Sequence, residues 1–217
     1  HSTLPIGAGL GSSAALCIAT LKTLSASFQA ELPKLTLAKL GNALEKRFHG
    51  NPSGLDTAVV AYETAISFTK PRGPEAIAVN PDSPFAFALI DSGVRASTLT
   101  MIEKAKPYFT SGDGDQRIAR FDALANRVIL GLQTGNQPEV ASAMNEAAVH
   151  LDAAGVVNDS LRQIIATAKA AGVLAVKPTG AGGGGCVMCL LDPSRAARQM
   201  AVLKQKFSNR QVFEVTL

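Results

Sequence analysis

Three glycines at alternate positions, Gly7, Gly9 and Gly11, run into Ser12-Ser13 and then into Ala14-Ala15-Leu16. Glycine lets a backbone turn sharply and come close to a ligand, because no Cβ stands in the way. The Ala/Leu-rich run reads as a helix, and a helix start offers N–H groups without intrahelical partners and a partial positive charge. Together these make a phosphate site out of Gly7, Ala8, Gly9, Leu10, Gly11, Ser12 and Ser13. A serine hydroxyl placed there can bond a phosphate oxygen or ligate a hard cation. The plainer reading is a Gly-rich turn in which Ser12 or Ser13 caps the helix.

Two familiar phosphate loops fit poorly. A P-loop ends in Gly-Lys-Ser/Thr, and this stretch holds no lysine. The dinucleotide fingerprint needs a third glycine where Ser12 stands. Starting that frame at Gly9 puts Ala14 in the third place, with hardly any chain ahead of it to form the strand.

Two carboxylates come next. Glu45 and His49 lie one helical turn apart and can share a face. The string His49-Gly50-Asn51-Pro52-Ser53-Gly54-Leu55-Asp56 is turn chemistry that delivers Asp56 at the end of a tight loop. By residue type alone, Asp56 reads as the N-cap of the Thr57–Val60 segment, and Glu45 as a solvated helix residue. Near the other end, Gly180 to Gly185 is all glycine apart from Ala181 and joins two strand-like runs. Ordering such a loop costs entropy, so a close-packed backbone or a bound ligand explains it better than a linker does.

Ser12 to about Gln29 reads as a helix that is apolar nearly all round, hence buried. Thr36 is the expected N-cap of a second helix, Leu37 to Phe48, with Leu37, Leu40 and Leu44 on one face. Strands are expected at 65–69, 76–80 and 85–90. The last ends in Asp91-Ser92-Gly93-Val94-Arg95-Ala96-Ser97-Thr98, where Arg95 and Thr98 are candidate binding residues and Ser97 a candidate cap. Helices follow near 98–109, 116–134, 138–151 and 160–171, then strands at 174–177 and 186–191, a helix at 193–207 and a strand at 211–217. His150, alone on its helix, reads as a surface or satisfied core residue.

The chain has 217 residues, enough for one or two domains, with 47% hydrophobic and 18% charged residues. Aromatics reach only 5% and Trp is absent, against a stacking surface for single strands; the net charge of +4 is scattered, a weak nucleic-acid footprint. No apolar run nears the roughly 20 residues of a membrane span. Three cysteines suit a reducing, cytoplasmic setting. Cys186 and Cys189, spaced to opposite faces of a strand and lacking a second pair or a nearby histidine, read as structural.

Three strings then carry a resemblance. Pro5-Ile6-Gly7-Ala8-Gly9-Leu10-Gly11-Ser12-Ser13-Ala14 resembles the ATP loop of the GHMP kinases. His49 to Asp56 resembles the signature of the mevalonate kinases within that superfamily, a more specific match, and Lys177 to Cys186 resembles the third GHMP motif in the form they use. The resemblance implies an α+β protein of the GHMP kinase fold. Residues 1–90 would be the remainder of an N-terminal α/β ATP-binding domain, and 91–217 a C-terminal α+β, ferredoxin-like domain. It implies ATP-dependent phosphorylation of the primary hydroxyl of mevalonate, with Gly7 to Ser13 on the nucleotide phosphates. Ser13 and Glu45 would ligate Mg2+, and Asp56 would be the catalytic base. His49, Thr98, Gly180, Ala181 and Gly182 would line the substrate end. It further implies a cytoplasmic enzyme with a small-molecule substrate and no nucleic-acid or membrane partner, and it admits a homodimer. The family's catalytic lysine belongs to a first motif near the N-terminus, which this sequence lacks. This chain by itself is therefore expected to be incomplete and inactive. Another GHMP small-molecule kinase (phosphomevalonate kinase first), a non-catalytic GHMP-fold binding protein and an unrelated nucleotide-binding domain remain as alternatives.

Overall fold

The computed structural model describes residues 5–49 and 52–217, the side chains of Phe48 and His49 excepted. The chain divides into two compact units, residues 1–78 and 79–217.

In the first unit three helices, α1 (Ser12–Ser27), α2 (Lys34–His49) and α3 (Leu55–Tyr62), pack around Ile18, Leu37, Ala38, Ala58 and Ala61. Gly41 permits the closest approach: a Cβ there would come within 2.6 Å of Ile18 Cδ1 and 3.3 Å of Thr57 Cγ2. A two-stranded antiparallel hairpin, β1 (Ile66–Thr69) and β2 (Gly73–Ala76), completes the unit.

Three expectations are corrected in this unit. α1 is not buried all round: Ala14, Cys17 and Ile18 form the buried strip, whereas Leu16 and Leu24 are exposed. α2 starts at Lys34, three residues before the expected start, because the Leu37 N–H already reaches the Pro33 carbonyl at 3.0 Å; Thr36 lies inside the helix and does not cap it. Its inward face is Leu37, Ala38, Gly41 and Glu45, with Leu40 and Leu44 turned outward. The second strand lies at 73–76, where it can pair with β1, and not at 76–80; the Asn80 N–H bonds the Leu132 carbonyl.

The second unit holds β3 (Ala86–Asp91), α4 (Thr98–Thr110), α5 (Gly114–Thr134), α6 (Gln137–Ala153), α7 (Asp159–Ala170), β4 (Ala175–Pro178), β5 (Cys186–Leu190), α8 (Ala196–Lys206) and β6 (Val212–Thr216). β3, within the 1–90 span expected for the first domain but for its last residue, pairs in this unit's sheet. The sheet is wholly antiparallel with the order β4-β5-β3-β6. With four helices in the first crossover and α8 in the second, this is the β-α-β-β-α-β ferredoxin-like arrangement. α7 and α8 cover one sheet face: Leu161, Ile164, Ala168, Met200 and Leu203 pack on Ala88, Ile90, Val176, Val187 and Cys189. Cys189 lies in that core and Cys186 on the other face of β5, both thiols unpaired. Asn145 of α6 blunts the edge strand, its amide bonding the Leu174 carbonyl and accepting from the Val176 N–H. His150 is satisfied, with Tyr108 Oη 2.7 Å from its Nδ1, which ties α4 to α6.

Candidate functional site

In the first unit the glycine loop ends as a left-handed turn. Gly7, Gly9 and Gly11 all have positive φ, and Gly11, at φ 67°, is the residue that starts α1. Among the described residues no side chain caps that start. The serine cap expected on the plain reading is absent because the Ser13 hydroxyl turns elsewhere: it donates to Glu45 Oε1 at 2.8 Å.

Glu45 is buried, at 2% exposure. It is not the solvated helix residue that its type suggests, because α2 presents it to α1 on the same face as Leu37 and Gly41. Burial of Cys17, and after it the nearby charge of Glu45, pushes the Cys17 thiol up. A buried carboxylate carries a large desolvation cost unless a donor or cation meets it.

Asp56 sits in the first turn of α3, which begins after Gly54 in a left-handed conformation. Asp56 thus lies two positions past the N-cap, which is Gly54. A carboxylate there is favoured by the helix dipole. It is exposed, and it stands beside the glycine loop: a Cβ placed on Gly11 would lie 3.8 Å from the Asp56 Cβ. Three helices therefore bring Gly11, Ser13, Glu45 and Asp56 together, from positions up to 45 residues apart in sequence. Two hard oxygen donors, Ser13 Oγ and Glu45 Oε1, stand 2.8 Å apart near the start of α1, and the exposed carboxylate of Asp56 belongs to the helix beside Gly11. The His49 side chain lies outside the described residues.

In the second unit the glycine-rich loop is close-packed, as its composition suggests. The Gly183 N–H donates to the Val156 carbonyl at 2.6 Å and the Gly185 N–H to the Val94 carbonyl at 2.8 Å. A Cβ on Gly182 would meet the Val156 oxygen at 2.5 Å, and one on Gly184 the Val94 oxygen at 2.5 Å. Gly180, by contrast, has nothing within 4 Å of where its Cβ would stand. Ala181 is half-buried, and Thr98, the first residue of α4, is exposed. Ser97 occupies the N-cap position but makes no capping bond with its side chain.

Two groups escaped the reading of the sequence. Asp91, buried at the end of β3, accepts from both terminal nitrogens of Arg95 at 2.7 Å, which holds its carboxyl below the usual carboxylate range. The signal was an Asp/Arg pair at i,i+4 across a turn. Asn158 reaches the glycine loop, its amide donating to the Gly183 carbonyl at 2.7 Å while its oxygen caps α7 through the Leu161 N–H.

Residues 1–64 match the GHMP kinases N terminal domain, and residues 128–209 match the GHMP kinases C terminal family. The chain belongs to the GHMP kinases. It is 30% identical over 244 aligned residues to the mevalonate kinase of Dictyostelium discoideum, an alignment covering 96% of the chain and 61% of that protein. To the mevalonate kinase of Pyrococcus furiosus it is 31% identical, covering 87% of the chain and 58% of that protein. The chain thus spans about three fifths of the length of these relatives. Among solved structures, L. major mevalonate kinase in complex with R-mevalonate superposes with a TM-score of 0.85 at 20% identity, over 95% of this chain and 65% of that one. Methanococcus jannaschii mevalonate kinase gives 0.82 at 23% identity, over 100% and 66%. Both establish the GHMP kinase fold for this chain. In this GHMP kinase the two glycine loops serve different ends: the first leaves a helix start open, whereas the second is filled by its own backbone contacts.

Proposed function

We propose that the protein carrying this chain phosphorylates the primary hydroxyl of mevalonate from ATP, giving phosphomevalonate and ADP. The observation that carries the reading is the juxtaposition of Ser13, buried Glu45 and Asp56 at the open start of α1. The relatives named mevalonate kinase support the choice of substrate, as does the complex of one structural neighbour with R-mevalonate.

The roles follow from the chemistry of each group. The N–H groups from Gly7 to Ser13 take the nucleotide phosphates, where α1's dipole favours negative charge. Ser13 and Glu45 fit Mg2+, which prefers a few hard protein oxygens and completes its shell with phosphate and water. When bound, the ion neutralises charge developing on the transferring phosphoryl group. Asp56, exposed and beside the loop, accepts the proton of the attacking hydroxyl. Such a base is worth about 10²–10⁴ in rate. Within the C-terminal domain, taken as residues 91–217, Thr98, Gly180, Ala181 and Gly182 are the substrate-binding residues; within the N-terminal domain, taken as residues 1–90, His49 is. The open surroundings of Gly180 and the exposure of Thr98 support this. The protein acts in the cytoplasm, a reading supported by three unpaired cysteines and by the lack, among the described residues, of a helix long and apolar enough to cross a membrane. Its partners are small molecules, and it works without nucleic acid or membrane; family likeness admits a homodimer.

The test is a coupled ADP-release assay on the full-length gene product with mevalonate, phosphomevalonate, homoserine and galactose offered in turn. ADP release with mevalonate alone is the expected result. Release with phosphomevalonate alone, or with none of the four despite ATP binding, overturns the reading.

A further inference from the structure

The turn that follows β3 is held more firmly than a connection needs. Asp91 accepts three hydrogen bonds: from Arg95 Nη1 and Nη2, both at 2.7 Å, and from the Gly93 N–H at 2.9 Å. Such a two-pronged contact fixes the guanidinium plane, and with it the chain between the two residues. The Val94 N–H bonds the Ser92 hydroxyl at 3.2 Å, and Arg210 donates to the Ser92 carbonyl from outside the turn.

This turn is in turn one wall of the glycine loop. The Ser92 N–H donates to the Gly185 carbonyl at 2.9 Å, the Gly185 N–H donates to the Val94 carbonyl at 2.8 Å, and Gly184 lies against that same carbonyl. The opposite wall is built independently, from the Val156 carbonyl and the Asn158 amide on Gly183. The loop is a sandwich of backbone with one wall set by Asn158 and the other by Asp91.

We propose that Asp91 is a positioning residue for the substrate end of the site: by clamping Arg95 it fixes the 92–96 turn, and the turn fixes the backbone of Gly184 and Gly185. This rests on the reading above that Gly180 to Gly182 and Thr98 meet the substrate. Thr98 follows the turn directly and Gly180 lies in the loop that the turn braces, so one carboxylate governs both. Asp91 itself touches no substrate. Asn in its place keeps the size but loses the charge and one of the two acceptor oxygens, so the fork is broken while the shape remains.

The experiment uses the full-length gene product in three forms: Asp91→Asn, Arg210→Ala and the control Asp192→Asn. Asp192 holds another acid–base pair of the same unit, with Arg195, away from the loop. Amide hydrogen exchange at Gly185 reads local opening of the turn–loop contact. Asp91→Asn is expected to speed it at least about tenfold, the scale of a lost charged hydrogen bond, and Arg210→Ala about fivefold. Exchange at Val187 and Cys189 in the sheet should stay unchanged, and Asp192→Asn should move none of these. In the coupled assay, the KM for the alcohol substrate should rise about tenfold in Asp91→Asn with the KM for ATP unchanged. Unchanged exchange at Gly185 in both Asp91→Asn and Arg210→Ala overturns the proposal, as does faster exchange throughout the sheet, which marks a general loss of stability. Faster exchange with both KM values unchanged also overturns the positioning role. If the unsubstituted enzyme turns over none of the alcohols, the functional reading falls, while exchange still decides whether Asp91 governs the loop.

Discussion

A single methyl group on the second glycine loop separates two kinds of cost. Gly182 and Gly180 both have positive φ, 83° and 60°, so alanine at either position adopts a left-handed backbone at a cost of about 1–2 kcal/mol. They differ in their surroundings. At Gly180 the methyl meets nothing within 4 Å, whereas at Gly182 it lies 2.5 Å from the Val156 oxygen and 2.8 Å from the Val156 Cβ. The Val156 carbonyl cannot simply swing away, because it accepts the Gly183 N–H at 2.6 Å. Overpacking of this kind costs about 1–3 kcal/mol. Gly180→Ala should therefore lose only the conformational part, and Gly182→Ala about 1–3 kcal/mol more. For a chain of this size about 2–4 °C of melting temperature corresponds to each kcal/mol, so Gly182→Ala should melt roughly 2–12 °C below Gly180→Ala. Differential scanning calorimetry of the two variants side by side reads the difference directly. Equal melting temperatures would refute the reasoning, since they would mean that the loop does not press on Val156.

Three further substitutions and treatments test other parts of the structure. Glu45→Gln keeps an acceptor for the Ser13 hydroxyl, so the fold should stand, while the Mg2+ concentration for half-maximal rate should rise at least about tenfold in a metal titration of activity. Asp91 titrates below the usual range because Arg95 bonds its charged form; its contribution to stability is present above about pH 4 and is lost as pH falls through the lower folded value. The stability gap between the unsubstituted chain and Asp91→Asn should thus be level from pH 5 to 7 and narrow below pH 4 in urea unfolding curves; a gap level throughout would contradict the pairing. Burial pushes the Cys186 and Cys189 thiols up to about 12, so iodoacetamide at pH 8 should leave both unmodified in the folded chain and modify both in guanidinium, by mass spectrometry.

Local chemistry made much of this fold legible. The strands at 86–91, 186–190 and 212–216 and the helices α5 to α7 are long or strongly patterned, with turn residues at their ends, and fall where periodicity puts them. The misplacements have a common cause, which is that pairing and packing outweigh propensity. Residues 77–80 look more strand-like than Gly73-Pro74-Glu75-Ala76, yet the latter lie opposite β1 after a three-residue turn. Thr36 is a better cap by type than its neighbours, but Pro33 had already started the helix. Leu16, Leu24, Leu40 and Leu44 read as core because they are leucines; the buried strip runs instead through Ala14, Ala38 and Gly41, whose small size lets three helices approach.

For the candidate site, the loops announced themselves by composition, whereas Asp56 read by type as a helix cap and was singled out by the resemblance carried by residues 49–56. What sequence could not give was the environment of each acid. Glu45 is buried because of where α2 docks on α1, and its bond to Ser13 spans 32 positions. Asn158 was missed because it holds backbone 25 residues away, which no local pattern marks; Asp91 pairs locally with Arg95, but its burial at the end of β3 and the packing of its turn on the second glycine loop come from the tertiary fold.

The central claim is that Asp56 takes the proton from the attacking hydroxyl at the phosphate loop, and one measurement addresses it most directly: single-turnover ADP formation by the full-length Asp56→Asn protein with saturating ATP and mevalonate, beside its ATP affinity by calorimetry. The predicted result is a rate lower by about 10²–10⁴ with ATP affinity unchanged, the loss expected for a missing general base. A rate within a few-fold of the unsubstituted protein would contradict the assignment.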